Sequence, residues 1–141
     1  MRISILLLTL FLVACGDAAR DADASPAQGA LEAGLWTGSE RDGICVANDG
    51  KAAFIRFGEG DANCMAQGTI ENDGDALVFK PRGDDECRIA ILQEGDVLTV
   101  ERGSESCAYY CGSGASLIGE GLRRSNGDPA ELRDIAGDRL C

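Results

Sequence analysis

From residue 45 onward, apolar and polar positions alternate with a period of two, and the pattern repeats. Cys45 opens the run CVANDG, followed by KAAFIRF. Cys64 opens CMAQGTIENDG, followed by DALVFK, and Cys87 opens CRIAILQEG, followed by DVLTVE and a polar loop to Cys107. Each unit is a cysteine, a strand, an acidic-glycine turn, a second strand and a loop. The step is about 20 residues, the length of one hairpin with its return. Asp49-Gly50, Asp73-Gly74 and Glu94-Gly95 fall between paired strands, where tight turns need a positive φ. In one register Ala53, Ile55 and Phe57 share a face, as do Leu77 with Phe79 and Leu98 with Val100. Ile89 to Leu92 is apolar on both faces, which predicts a central or covered strand. Leu31 to Thr37 supplies a first strand and Ser116 to Arg124 a last one. The predicted fold is all-β: a small antiparallel meander barrel of about eight strands, since closure removes exposed edges. A short C-terminal helix follows, with Asp128 at N-cap, Pro129 at N1 and Glu131 at N3. Leu132, Ile135 and Ala136 form its apolar stripe, and Gly137 stops it.

The N-terminus follows a different pattern. Met1-Arg2 is positively charged, and Ile3 to Val13 is apolar apart from Ser4 and Thr9. That stretch is too short to cross ~30 Å of hydrocarbon as a permanent helix. A charged start, a short apolar stretch and small residues before a cleavage point describe a secretory signal. Leu12-Val13-Ala14-Cys15 resembles the lipobox of bacterial lipoproteins. The resemblance implies acylation of Cys15, removal of residues 1–14 as a signal peptide, and anchoring in a membrane. On the residues alone, an ordinary signal peptide with a cysteine at this place stays open. In enterobacterial lipoproteins an Asp directly after the cysteine retains the protein at the inner membrane. Here Gly16 intervenes before Asp17, so the resemblance implies a periplasm-facing protein with the outer membrane preferred. Two or three acyl chains hold firmly, where a single one is marginal. Asp17 to Ala30, DAARDADASPAQGA, has no aliphatic residue larger than Ala and reads as a flexible tether with a reach of ~20–25 Å. The expected division is therefore signal peptide 1–14, acylated cysteine and tether 15–30, and folded domain 31–141.

Composition narrows the chemistry. The length of 141 residues suggests one domain. With 24 acidic and 13 basic residues the formal charge is −11, which excludes a counterion-displacing nucleic-acid tract. There is no histidine, so histidine-based triads and histidine-ligated zinc sites are ruled out. Of seven cysteines, Cys15 is assigned to lipid. Cys45, Cys64, Cys87, Cys107, Cys111 and Cys141 then read as disulfides of an exported domain, each contributing ~2–4 kcal/mol. Closure across single hairpins favours Cys45–Cys64 and Cys87–Cys107, leaving Cys111–Cys141 to clamp the tail; Cys64–Cys87 follows the same logic. Cys107-Ala-Tyr-Tyr-Cys111 lacks the spacing of a redox C-x-x-C motif. The acidic clusters Glu59 with Asp61, Asp73 with Asp75, and Asp84 to Glu86 lack the ordered ligand spacing of a calcium loop and read as solvated turns. No metal or cofactor is expected.

Two short stretches carry candidate function. Tyr109-Tyr110 precedes the glycine-rich run from Cys111 to Ser116 and offers a rigid contact surface, with Ser113 and Gly114 beside it. Plain alternation would place one tyrosine inward and one outward. Ser113 and Ser116 have no histidine or lysine base nearby, so no nucleophile is expected and the protein is not read as an enzyme. Gly34-Leu35-Trp36 resembles the G-x-W start of lipocalins and related calycin barrels. There the Trp packs against an Arg of the last strand, a place Arg123 or Arg124 would take here. The plan of lipobox, tether and small acidic cysteine-bearing barrel resembles membrane-bound inhibitors of c-type lysozyme. Their loop motif is S-G-x-x-Y; Ser113-Gly114 keeps its start, and Leu117 stands where the Tyr would be. These resemblances imply a monomeric, lipid-anchored binding protein, with a cationic envelope protein such as lysozyme as partner. A lipocalin-like carrier of a small hydrophobic ligand is the alternative.

Overall fold

A computed structural model describes residues 31–39, 41–74 and 76–141; the expected signal peptide (1–14) and the expected acylated Cys15 with its tether (15–30) lie outside the described residues. Eight antiparallel strands close into a barrel in simple chain order. They are β1 (Gly34–Thr37), β2 (Gly43–Val46), β3 (Lys51–Phe57), β4 (Asn63–Asp73), β5 (Ala76–Pro81), β6 (Ile89–Glu94), β7 (Val97–Gly103) and β8 (Leu122–Ser125). The three predicted hairpins form as read, and Gly50, Gly74 and Gly95 take the positive φ their turns require (80°, 68° and 59°). Closure comes from β8 pairing with β1, Trp36 opposite Arg124, and with the first two residues of β7.

The inner face is filled by Trp36, Ile44, Phe54, Phe79, Ile89, Leu98 and Leu122, with the Phe54 and Phe79 rings edge to face at 5.1 Å. Fully burying one such side chain is worth ~1.5–3 kcal/mol. Gly68 lets β4 cross close to β5: a Cβ there would stand 1.9 Å from the Lys80 carbonyl oxygen. Ala53, Ile55 and Phe57 do share a face, but it is the outer one. Leu35, Cys45, Ala53 and Ile55 form a second cluster outside the barrel, covered by Leu132 and Leu140 of the C-terminal segment. β2 is consequently buried on both faces. The strand of Ile89 to Leu92 has a neighbour on each side, yet its outer face is open and Leu92 is exposed.

Several expectations need correction. β1 begins at Gly34 rather than Leu31. The last strand is Leu122–Ser125, not Ser116 to Arg124. Residues before it spend their backbone bonds elsewhere: Gly112 N donates to Asn63 O (2.8 Å), and Glu120 O accepts from Arg56 Nη2 (3.0 Å). The C-terminal helix is only the 3-10 turn η2 (Pro129–Glu131). Its capping box forms as predicted, with Asp128 Oδ1 accepting from Ala130 N and Glu131 Oε1 from Asp128 N. Asp134 then accepts from the Ala136 and Asp138 amides at 2.8 Å each, closing a side-chain turn that competes with helix. Leu132 is buried, whereas Ile135 of the expected stripe is exposed.

Two of the three expected disulfides are also different. Cys87–Cys107 closes its hairpin as read, but the others are Cys45–Cys141 and Cys64–Cys111. Facing explains why. Cys45 is opposite Ala53 on the outer face, while Cys64 is opposite Arg56, which shares the inner face of Ala52 and Phe54. β2 and β4, which flank β3, thus hold Cys45 and Cys64 on opposite sides of one sheet, where no bridge can form. The bridge to Cys141 instead straps the tail across β1–β3, helped by Gln67 Nε2 donating to Leu140 O (2.9 Å).

Candidate interaction surface

After β7 the chain makes a 3-10 turn, η1 (Glu105–Tyr110), held at both ends. At its start Ser104 Oγ accepts from Arg88 N (3.0 Å) and donates to Glu86 O (2.7 Å). Cys107 is fully buried and bridges to Cys87 ahead of β6. At its end Cys111 bridges to Cys64 on β4 and pairs with it as an antiparallel β-bridge. The two tyrosines lie between these staples.

Their roles are unequal. Tyr110 is half-buried against the core, and its hydroxyl donates to Asp84 Oδ2 at 2.9 Å. Asp84 Oδ1 accepts from the Glu86 and Cys87 amides, so one carboxylate ties the 82–86 loop to the tyrosine turn. The Cys87 amide, then the Tyr110 hydroxyl, hold the Asp84 carboxyl below the usual carboxylate range. Burial, and next the bond to Asp84, push the Tyr110 phenol up. Tyr109 is 87% exposed and stands edge-on to Tyr110, with centroids 5.4 Å apart and planes at 90°. The division into one inner and one outer tyrosine matches simple alternation, while the double staple fixes the backbone of the turn that carries the outer ring.

Beside Tyr109 lies an open hollow of about 540 Å³, lined by Asp61, Asn63, Met65, Tyr110 and Gly112 among others. Ser113 and Gly114 do not line it. Gly114 has φ +89°, and its carbonyl accepts from Glu59 N (3.2 Å), which turns this segment toward the 58–62 loop. The loops 58–62, 82–86 and 104–114 contain Glu59, Asp61, Asp84, Asp85, Glu86 and Glu105 against the single basic residue Arg82. Read from spacing alone, these acids are solvated turns, and nothing in the sequence connects them with the tyrosines.

Trp36 and Arg124 meet at another part of the barrel. The Arg124 guanidinium lies 4.8 Å from the Trp36 ring centroid and donates to Ala33 O. A Cβ on residue 34 would stand 3.0 Å from Arg124 Cζ, so a glycine there leaves room for the stacked guanidinium. Arg123 is one position along the strand and faces outward by alternation.

A buried pair was missed in the sequence. Arg56 and Asp42 are both buried, with Nη2 3.5 Å from Oδ2, and Asp42 Oδ1 accepts from Phe57 N (2.7 Å). The signal was present: in KAAFIRF, Arg56 occupies the inward series of Ala52 and Phe54. A second depression, about 530 Å³, runs between Leu35, Arg41 and the tail residues Leu132 and Ile135. Among the described residues no three Cys, Asp or Glu side chains converge as a metal site. Known protein families, curated proteins and solved structures provide no match to this chain.

Proposed function

We propose that this protein is a lipid-anchored interaction protein of the bacterial envelope that binds a basic protein, with c-type lysozyme as the concrete candidate. The observation that carries the reading is Tyr109, a large ring left exposed on a turn fixed by two disulfides. Rigid aromatic groups are effective contact residues because little side-chain entropy is lost when they dock. The lipobox at residues 12–15 supports the anchor, and three disulfides suit an oxidising compartment. The formal charge of −11 steers cationic partners by long-range attraction. The reading contains no catalytic step and no cofactor. A carrier would need open volume inside the barrel, where Trp36, Phe54, Phe79 and Leu98 pack together.

The test is a titration of the full lipoprotein, in detergent micelles, into lysozyme at low ionic strength. Inhibition that weakens with added salt is expected. Unchanged lysozyme activity at micromolar lipoprotein removes lysozyme as the partner. Intact mass of the native protein checks the anchor: the mass must show loss of residues 1–14 and added acyl chains.

A further inference from the structure

We propose that the hollow beside Tyr109 is a receptor for one arginine or lysine side chain of a protein partner. This rests on the reading of the molecule as a binder of basic proteins, and it names the contact that such binding uses. Tyr109 presents a ring whose electron-rich face attracts cations. The ring packs edge-on against Tyr110, whose hydroxyl is bonded to Asp84. Asp61 lines the same hollow and supplies a carboxylate. Its side chain makes no ion pair with any described residue, unlike Asp42, Asp49, Glu71 and Asp73. Among the described residues no basic side chain lines the hollow beside the ring and the carboxylate. Met65 gives an apolar wall against which the methylene stem of a long basic side chain can lie. The hollow is shallow and open to solvent, so a guanidinium would lie across it with its stem along Met65. The acidic loops around it add a field of the same sign as Asp61.

The experiment uses the full lipoprotein in micelles at physiological salt, with hexa-arginine as probe and hexa-citrulline as its uncharged counterpart, followed by calorimetry. Tyr109→Ala and Asp61→Asn should each weaken hexa-arginine binding about 2- to 5-fold, the range of an exposed cation–π or charge contact. Tyr109→Phe should restore binding to within about twofold of wild type, since the ring face is kept. Glu94→Gln removes a carboxylate in the β6–β7 turn and should change little. Equal losses for Glu94→Gln and Asp61→Asn would reduce the effect to net charge and overturn the receptor. So would binding indifferent to Tyr109→Ala, or hexa-citrulline binding as well as hexa-arginine. A neutral chito-oligosaccharide that displaces hexa-arginine from the hollow would instead make it a sugar platform. The two readings separate cleanly. Lysozyme inhibition that survives Tyr109→Ala sinks the receptor alone; hexa-arginine binding at Tyr109 without lysozyme inhibition sinks the lysozyme reading alone.

Discussion

Replacing both Cys45 and Cys141 by alanine isolates the contribution of the tail clamp. The bridge joins residues 96 apart, but the retained Cys64–Cys111 bridge shortens the loop it closes to about half that, so it restricts the unfolded chain by about 4 kcal/mol in the chain-entropy view. Truncating Cys45, which is fully buried, adds a small cavity cost of about 1 kcal/mol. Residual structure in the unfolded state offsets part of this. Leu132 and Leu140 still hold the tail through apolar burial, so the native fold persists. The expected loss is about 3–5 kcal/mol, or a melting point lower by roughly 15–30 °C for a domain of this size. Equilibrium urea unfolding, followed by fluorescence of the lone tryptophan Trp36, reads it directly. Leu140→Ala with the bridge intact should cost about 2–3 kcal/mol. The two effects should not add, because both act through one segment. A double alanine variant within 1 kcal/mol of wild type would refute the clamp, and with it the assignment of Cys141 to Cys45.

Three further outcomes are expected. Gly68→Ala puts a methyl group against the Lys80 carbonyl and should destabilise the domain by about 3 kcal/mol or more, measured by the same urea titration. Asp42→Ala leaves the buried Arg56 guanidinium without its counter-charge and should cost about 3–5 kcal/mol, whereas Arg56→Met with Asp42→Asn should recover much of that loss in a double-mutant cycle. Tyr110→Phe should flatten the dependence of thermal stability on pH at both ends. The depressed Asp84 carboxyl stabilises the fold above the carboxylate range and loses this as pH falls through its folded value; the raised Tyr110 phenol costs stability as pH climbs past 10. Melting curves of wild type and variant that stay parallel across the full pH range would refute the Tyr110–Asp84 link.

Much of the architecture was legible because it follows from local signals. Period-two alternation and acidic-glycine turns act over a few residues, and they specified the hairpins from Cys45 to β7 and the meander order. Which face looks inward was not legible: Ala53 and Ile55 alternate correctly, but only the tail laid over them makes the outer side apolar. The same long-range fact defeated the disulfide assignment, since proximity along a hairpin says nothing about which side of the sheet a cysteine occupies. The tail helix failed at Asp134, where a side-chain turn outcompeted an otherwise sound helix start. At the candidate surface, the tyrosines stood out by composition, and Arg123 or Arg124 was offered as the partner of Trp36, of which Arg124 makes the contact. Asp61 and Asp84 remained anonymous turn acids, because their link to the tyrosines runs through Cys64–Cys111 and Cys87–Cys107, contacts between distant parts of the chain.

The clamp between Cys45 and Cys141 also sets an order of events during biosynthesis. A polypeptide made and delivered N-terminus first presents Cys45 and then Cys64 long before Cys141 appears. In that interval the mispaired hairpin bridge is the nearest available oxidation product, and only pairing of β2, β3 and β4 drives the two thiols to opposite sides. For a chain exported as proposed above, maturation should then require disulfide isomerisation as well as oxidation, and cells lacking isomerase activity should accumulate a Cys45–Cys64 species whose unclamped tail is open to proteolysis.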